Sequence, residues 1–266
     1  MRSVLITGAA GGMGREAVSL FRKAGFCVFA VDLAPVAAED DIIPIQADIT
    51  SEESLRSAFE TVAYQTKELF AILHFAGIYM LHSLVEMKTD AFSRIMDVNV
   101  LGAFLVNKMF LPLLRKGSRI LMVTSELAPL RPLPFTGVYA VSKSALDRYA
   151  YSLALELQLL GISVSVLRAG AVDTGMLEAS TRALDLFCRE TQLYAFSAQR
   201  FRSVVDCVEA RKITPQKLAQ KALAIVNKKK MRFAYAINQN PLLKLFHLCP
   251  SGLQMCLLKL ILRPRV

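Results

Sequence analysis

The feature that most constrains the fold is the regular alternation of short apolar runs with helical patterns along the chain. The runs SVLIT (3–7), CVFAVD (27–32) and RILMVTS (119–125) are continuously apolar, apart from the charged residues at some of their ends. Strands buried on both faces of a sheet have this composition, and a helical crossover is needed to connect one such strand to a parallel neighbour. The pattern therefore predicts an α/β fold with a doubly wound parallel sheet.

The remaining elements follow from the same periodicities. Further strands are predicted at 42–45, 69–77, 162–170 and 232–238, and helices at 15–24, 50–67, 89–115, 138–161 and 215–228. Gly161 is expected to end its helix in the left-handed conformation. Because no Ser/Gly/Pro-rich linker divides these elements, we expect a single domain over residues 1–266.

Composition limits the kinds of partner and ligand that the chain is expected to bind. The net charge of +10 suits an anionic partner, but no recognised nucleic-acid-binding motif accompanies it, so no nucleic acid is expected. The five cysteines form no CxxC pair, and the three histidines show no ligand spacing, so no metal site is expected. The N-terminal apolar run is too short for a signal peptide, which favours a cytoplasmic protein.

A glycine-rich segment directly follows the first predicted strand. It reads Thr7-Gly8-Ala9-Ala10-Gly11-Gly12-Met13-Gly14, and a helical pattern comes next. Such a turn lets backbone N–H groups approach a pyrophosphate beside the positive end of a helix. The TGxxxGxG spacing indicates a nucleotide site, with a tight turn that binds no ligand as the alternative.

Asp32 ends the second predicted strand, where a carboxylate can accept hydrogen bonds from both hydroxyls of an adenosine ribose. It would repel a 2′-phosphate, and Leu33 offers no compensating charge, which favours NAD over NADP. Arg15 lies near the same pocket and would attract a 2′-phosphate.

Four polar side chains form the candidate catalytic group. Tyr139 and Lys143 lie one helical turn apart on the same face of a predicted helix. Ser125 ends a strand, at the edge where α/β sheets carry their sites. Asn99 stands in the otherwise apolar stretch VNVLGAF, where an amide needs a reason.

In this order the pieces resemble the short-chain dehydrogenase/reductase family over nearly the whole chain. The resemblance rests on TGAAGGMG, Asp32, Ala47-Asp48-Ile49, Ala76-Gly77, Asn99, Ser125, Tyr139 with Lys143, and Arg168-x-Gly170 followed by Thr174. It implies one Rossmann-type domain that oxidises or reduces an alcohol/carbonyl pair with NAD(P).

The resemblance also implies roles for single residues. Tyr139 would be the acid/base, Lys143 would hold the nicotinamide ribose and lower the pKa of Tyr139, and Ser125 would hydrogen-bond the substrate oxygen. Asn99 would anchor a water that leads to Lys143. The implied cofactor-binding set is Thr7, Gly8, Gly12, Met13, Gly14, Asp32, Asp48, Ile49, Ala76, Gly77, Asn99, Tyr139, Lys143, Val172 and Thr174.

Some positions depart from the family pattern. Phe75 stands where the family has Asn, and Ala169 where it has Pro. Ser125 and Tyr139 are fourteen positions apart, one more than usual, so the loop 128–137 has to absorb a residue. If it does not, Thr124 is the alternative substrate-orienting hydroxyl. A catalytically silent nucleotide-binding sensor or scaffold is the alternative function.

The segment 175–213 is expected to be a lid over the substrate, since it is longer than an ordinary connection. Its large apolar side chains are Met176, Leu177, Leu184, Leu186, Phe187, Leu193, Tyr194, Phe196 and Phe201. About half should pack a small helical subdomain, and the rest should make the cleft apolar. A hydrophobic alcohol or ketone is therefore expected, and steroid, retinoid and long-chain lipid substrates fit equally well.

The C-terminal tail, 241–266, is apolar with Lys244, Lys259, Arg263 and Arg265 interleaved. It is interrupted by Pro250-Ser-Gly252, which prevents a continuous spanning helix. Two short amphipathic helices are expected, which pack on the domain or a partner subunit, or lie on a membrane surface. We expect a homo-oligomer, either a dimer or a tetramer, with peripheral membrane contact through the tail as an alternative.

Overall fold

The computed structural model of the protein describes residues 1–208 and 212–263. At its centre lies one sheet in which each strand pairs in parallel with its neighbours. The strands are β1 (Arg2–Thr7), β2 (Phe26–Asp32), β3 (Ile42–Gln46), β4 (Ala71–His74), β5 (Arg119–Ser125), β6 (Ser163–Ala169) and β7 (Ala234–Ile237). Their spatial order is β3-β2-β1-β4-β5-β6-β7. This confirms the predicted doubly wound parallel sheet in a single domain.

Helices cover both faces of the sheet and extend past its last strand. They are α1 (Gly12–Lys23), α2 (Glu52–Gln65), α3 (Thr89–Met96), α4 (Gly102–Phe110), α5 (Gly137–Leu157), α6 (Gly175–Glu190), α7 (Ala195–Val208), α8 (Pro215–Val226), α9 (Pro241–Leu248) and α10 (Ser251–Leu262). Gly161 follows a short 3₁₀ turn at the end of α5 and has a φ of 73°, in the left-handed region predicted for it.

The two faces of the sheet bury separate apolar cores because successive strand side chains point to opposite sides. Leu5 packs on one side with α2, α4 and α5. Val4 and Ile6 pack on the other side with α1 and α8. These strands have both faces covered, which explains why their sequences are continuously apolar rather than alternating.

Two predicted strands are shorter than the sequence suggested. The strand predicted at 69–77 is paired only over 71–74, since its neighbour β1 ends at Thr7, opposite His74. The chain beyond His74 leaves the sheet and enters the site. β7 likewise pairs with β6 only over 234–237 instead of 232–238.

The helix predicted at 89–115 contains a break that the sequence did not indicate. A π-helical turn, Asp97–Leu101, separates α3 from α4, and a 3₁₀ turn with Pro112 ends the helix at Leu113. By length and composition, Thr89–Leu113 is apolar enough to cross a membrane. However, Leu105, Val106 and Phe110 lie in the core against the sheet, which is the position of a core helix.

The lid segment folds as α6 and α7, which carry a small apolar core of their own. Leu184, Phe187 and Phe201 are buried there around Phe135 from the loop before α5. By contrast, Leu186, Leu193 and Phe196 are exposed. Residues 209–211 of the expected lid, and 264–266 of the expected tail, lie outside the described residues.

The tail forms two helices, as expected, and they lie over the lid and the carboxyl edge of the sheet. We define α9 and α10, residues 241–262, as the C-terminal hairpin. The chain bends by 119° between these two helices. Leu262 from α10 packs into the lid core with Phe201.

A glycine substitution tests how tightly the first turn is built. A β-carbon at Gly14 would collide with the carbonyl oxygen of Gly8, whereas one at Gly252, near the start of α10, would meet nothing. We expect Gly14→Ala to lower the free energy of unfolding by about 1–3 kcal/mol through overpacking. Gly252→Ala should leave it unchanged or raise it by about 0.5–1 kcal/mol. Urea denaturation measures both, and equal effects would contradict the close packing.

Candidate active site

The candidate site lies at the carboxyl edge of the sheet, where the crossover connections change direction between β1 and β4. Parallel α/β sheets bind their ligands at such a point because the loops on either side diverge and leave a crevice. The glycine-rich loop follows β1 there, and Ala76-Gly77 follows β4. Ser125 ends β5 at the same edge.

The two central loops touch through backbone atoms. Gly8 has a φ of 73°, and a β-carbon there would collide with the backbone of Phe75 and Ala76. Gly12 is flanked by the side chain of Thr174, whose methyl carbon would lie 3.1 Å from a β-carbon at that position. The glycines therefore create a groove with a backbone surface, bounded by the loops after β1, β4 and β6.

Asp32 and Arg15 both bind the middle of this loop. The Asp32 carboxylate accepts hydrogen bonds from the backbone N–H groups of Ala10, at 2.9 Å, and Ala34, at 2.9 Å. The Arg15 guanidinium donates to the carbonyl oxygen of Ala10 at 3.1 Å. Asp32 and Arg15, which the sequence analysis expected to have opposite effects on a 2′-phosphate, therefore both bind the backbone of Ala10.

The other residues of the expected cofactor set line the same edge. Asp48 accepts two hydrogen bonds from Thr50, and Ile49 packs over Gly102. Val172 is buried, and the Thr174 hydroxyl donates to its carbonyl oxygen. The structure thus brings the loops after β1, β2, β3, β4 and β6 together around one groove.

The donor set of this groove fits a dinucleotide. Thr7 Oγ1 is buried and has no hydrogen-bond partner within the described residues, so a donor and acceptor is available next to the glycine-rich loop. Met13 lies at the N-terminus of α1, where the helix presents positive partial charge. Absent glycine side chains, an available hydroxyl and a helix N-terminus are the features that a pyrophosphate requires.

Tyr139 and Ser125 form the centre of the candidate catalytic group. The Ser125 hydroxyl and the Tyr139 phenol are hydrogen-bonded, and both side chains are buried. The loop 126–136 therefore absorbs the extra residue between them. Thr124, the alternative hydroxyl, is instead hydrogen-bonded to Asp147 at 3.3 Å, and Asp147 also binds Arg168.

Lys143 is fully enclosed next to Tyr139. Its ammonium lies 5.9 Å from the centre of the Tyr139 ring and donates to the carbonyl oxygen of Val123 at 3.3 Å. A β-carbon at Gly77 would lie 3.2 Å from Nζ, so Gly77 leaves the space in front of the lysine open. Burial without a carboxylate partner lowers the pKa of Lys143 to about 8.

Asn99 lies on the π-helical turn and connects it to the loop after β4. Its Oδ1 accepts from the backbone N–H of Ile78 at 2.8 Å, and its Nδ2 donates to the Ile78 carbonyl and to Ser142 Oγ. The π turn widens the helix at this one point, which π-helical turns often do at functional sites. Asn99 thereby fixes the position of the loop in front of Lys143, and the water expected to bind it stays a prediction.

Burial is the largest influence on the pKa of the Tyr139 phenol, and the lowering of this pKa by Lys143 stays a prediction. Burial raises the pKa of Tyr139, the hydrogen bond with Ser125 lowers it in part, and nearby Tyr79 and Glu126 raise it further. The net direction is upward, which favours the protonated phenol of Tyr139.

Sequence reasoning missed Tyr79 as a residue of the site. Its ring packs on Tyr139 with centroids 4.7 Å apart, and its hydroxyl is hydrogen-bonded to Ser180 of α6. It lies two residues after Gly77, and this proximity to the Ala76-Gly77 turn in the sequence was the signal that could have revealed it. Tyr79 connects the lid to Tyr139.

Glu126, the residue after Ser125, joins the site to the C-terminal hairpin. Its Oε2 accepts from the backbone N–H of Asn240 at 2.6 Å, immediately before α9. Burial raises the pKa of Glu126, while the Asn240 hydrogen bond and the charge of Lys244 lower it. A carboxylate at the N-terminus of α9 also interacts favourably with the helix dipole.

A cavity of about 490 Å³ lies over Tyr139. Its walls are mostly apolar and come from the loop after β4, the lid and the C-terminal hairpin. Representative lining residues are Phe75, Leu81, Leu133, Leu184, Phe201 and Phe246. Phe75, where the family has Asn, thus contributes apolar wall. The volume suits a bulky organic molecule.

Within residues 1–208 and 212–263, no three His, Cys, Asp or Glu side chains are grouped to hold a metal ion. His74 illustrates why the lone histidines have other roles. It is buried, hydrogen-bonded to Asn107 at 2.9 Å, and desolvation lowers its pKa to about 4. This histidine is a neutral core residue at neutral pH.

The buried ammonium of Lys143 should cost stability. The pKa of Lys143 is about 8 in the folded protein, against an ordinary value of 10.5. At a pH where Lys143 is protonated in both the folded and the unfolded protein, this difference lowers the free energy of unfolding by about 3 kcal/mol. We expect Lys143→Met to raise the free energy of unfolding of the ligand-free protein by up to about 3 kcal/mol at neutral pH. Between pH 8 and 10.5 the unfolded wild-type chain binds more protons than the folded one, so wild-type stability rises and the gap closes.

Urea denaturation near pH 7 and above pH 9 measures this effect. Lys221→Met, at an exposed position of α8, is the matched control and should change little. A Lys143→Met protein that is less stable than wild type at neutral pH would contradict the penalty.

Comparisons with known proteins agree with this geometry. A family model for short chain dehydrogenases matches residues 2–185. A 3-ketodihydrosphingosine reductase of Bacteroides thetaiotaomicron is 26% identical over 231 residues, which cover 86% of this chain and 85% of the relative. The estradiol 17-beta-dehydrogenase 2 of Mus musculus is 32% identical over 189 residues, covering 66% of this chain and 49% of that protein. The chain therefore spans about half the length of the mouse relative.

A solved structure shows the same fold. The short-chain dehydrogenase from Streptomyces avermitilis superposes with a TM-score of 0.78 at 20% identity, over 96% of this chain and 94% of that one. The family match covers the segments that carry the glycine-rich loop, Ser125, Tyr139 and Lys143. The chain belongs to the short-chain dehydrogenase/reductase family of oxidoreductases.

Proposed function

We propose that the protein is an NAD(H)-dependent oxidoreductase that interconverts the hydroxyl and carbonyl groups of a bulky apolar substrate. The observation that carries this proposal is the position of the Tyr139 phenol, hydrogen-bonded to Ser125, in a mostly apolar cavity of about 490 Å³. Ser125, Tyr139 and Lys143 together give this cavity a polar corner. This arrangement orients one oxygen of an otherwise apolar molecule.

The roles of this chain's residues follow from their positions. Ser125 and Tyr139 would hydrogen-bond the substrate oxygen, and the Tyr139 hydroxyl would donate a proton to a carbonyl oxygen in reduction and take it back in oxidation. Lys143, enclosed beside the ring, would bind a ribose hydroxyl and stabilise the phenolate. A bound nicotinamide would supply the hydride.

The substrate class rests on the cavity and on the relatives. The names of the bacterial and mouse relatives refer to a sphingolipid base and a steroid, both large and mostly apolar. The lining by leucine and phenylalanine side chains suits molecules of this kind, including retinoids. A long-chain lipid, a steroid or a retinoid alcohol or ketone is the substrate class that we propose.

We further propose that the enzyme is a homo-oligomer located in the cytoplasm. The support for oligomerisation is that α4 and α5 leave large apolar side chains exposed, Phe104 on α4 and Tyr151 and Leu155 on α5. Exposed apolar surface is common at subunit contacts.

Turnover of a panel of apolar alcohols and ketones, followed by NADH absorbance, tests the function. We expect Tyr139→Phe to lower kcat by about 10²–10⁴-fold, the usual contribution of a positioned acid/base, with NADH affinity nearly unchanged. Tyr151→Phe removes the same hydroxyl from an exposed position of the same helix and should keep full activity. Tight NADH binding by the wild type without any turnover would favour the silent sensor instead.

The opposite charges of Asp32 and Arg15, which both bind the backbone of Ala10, lead to a prediction on cofactor choice. Asp32 would repel the extra phosphate of NADP, so we expect NADH to bind at least about tenfold more tightly than NADPH, or about 1.4 kcal/mol. Asp32→Asn keeps a side-chain oxygen for the loop but removes the charge, and it should narrow this ratio. Arg15→Ala should widen it. Titration calorimetry measures the constants, and tighter NADPH binding by the wild type would show that Arg15 outweighs Asp32.

A further inference from the structure

The C-terminal hairpin has apolar side chains on both of its faces. Its inner face lines the cavity with Leu243, Phe246 and Leu258. Its outer face leaves a second set of large apolar side chains exposed: Leu245 at 63%, Leu248 at 80%, Leu253 at 49%, Met255 at 72% and Leu260 at 54%. A patch this dense is unusual on a surface that meets only water.

The bend between α9 and α10 is built by polar contacts, so the outer face is not exposed by loose packing. Gln254 is buried, and its amide donates to the carbonyl oxygens of Phe246 and Cys249 at the turn. His247 binds the carbonyl of Arg131, and the Arg131 guanidinium donates to Cys249. These contacts fix the hairpin onto the loop before α5.

The rim of the cavity reaches this hairpin. Leu242 and Ile261 line the cavity and are still 57% and 43% exposed, so they form part of its rim. The hairpin therefore carries apolar side chains both at the rim and on its outer face.

The charged side chains in the sequence of the hairpin and the residues after it are all basic. Residues 241–266 contain Lys244, Lys259, Arg263 and Arg265 and no Asp or Glu. Two copies that paired symmetrically through the hairpin would bring the same cations together without a carboxylate from the hairpin to offset them. An anionic phospholipid surface offers both an apolar layer for the leucines and phosphates for the cations.

We propose that the C-terminal hairpin inserts its outer face into one leaflet of an anionic membrane, and that the apolar substrate enters the cavity from the lipid between α9 and α10. The chain bends by 119° between α9 and α10, and each helix alone is too short to span a bilayer. Both helices can therefore lie in the interface between lipid and water. The entry route rests on the proposed function, whereas the membrane contact stands on the hairpin alone.

Co-sedimentation with phosphatidylcholine vesicles, with and without phosphatidylserine, tests the contact. We expect the wild type to bind the vesicles that contain phosphatidylserine, and more weakly at high salt. Leu248→Glu with Met255→Glu should weaken binding at least about tenfold, because both side chains would lose their burial in lipid. Tyr64→Glu with Leu159→Glu is the matched control, since these residues are equally exposed at the opposite edge of the sheet.

Circular dichroism and the unfolding midpoint show whether both double variants fold. If the hairpin variant is misfolded, Lys259→Glu with Arg263→Glu replaces it, and this variant should lose the preference for phosphatidylserine. Equal vesicle binding by folded hairpin and control variants would overturn the proposal. So would a wild-type dimer that only the hairpin variant dissociates, as measured by light scattering.

Activity assays separate this proposal from the proposed function. The hairpin variant should turn over a short, water-soluble alcohol at the wild-type rate, and lose several-fold in rate only on an apolar substrate dissolved in vesicles. If neither the wild type nor any variant shows turnover while the wild type still binds the vesicles, the result would count against the proposed function. The membrane contact would still stand. Equal rates of the variant and wild type on the vesicle substrate would overturn the entry route.

Discussion

The site depends on a close approach of two backbone segments at the point where the crossovers change direction. The loop after β1 and the loop after β4 touch at Gly8 and Ala76, with no room for a side chain between them. This contact sets the width of the groove and also places Gly77 before Lys143. The parallel sheet makes the contact possible, because it brings the carboxyl ends of both strands to one edge.

Around this contact the protein keeps polar groups in places where burial is unfavourable. The pKa of Lys143 falls and that of Tyr139 rises because both are removed from water without a full charge partner. The two shifts favour a protonated phenol beside an easily neutralised amine. Such strained ionisation is typical of functional sites, which give up stability for a defined protonation state.

The substrate side is assembled from parts distant in sequence. Tyr79 connects Tyr139 to the lid through Ser180, and Glu126 connects the end of β5 to the residue before α9. The cavity therefore has walls from the loop after β4, the lid and the C-terminal hairpin at once. The residue before the hairpin is thus hydrogen-bonded to the residue next to Ser125.

Much of this could be predicted without coordinates. The apolar runs identified the strands, because burial on both faces demands continuous apolar sequence, and the glycine spacing located the nucleotide turn. The order of Asn99, Ser125, Tyr139 and Lys143 indicated the site before its geometry was known. Local rules could not predict the π turn at Asn99, since it depends on hydrogen bonds to Ile78 and Ser142, 21 and 43 residues away.

The sequence by itself determined the fold class, the order of the polar site residues along the chain and the apolar character of the lid and tail. These properties follow from periodicity and residue type. Only the tertiary structure decided that Ser125 rather than Thr124 meets Tyr139, that Asp32 and Arg15 share Ala10, and that the tail forms a wall of the cavity. These outcomes depend on loop paths and on contacts between distant segments, and hydrophobic patterning does not encode the direction of a loop.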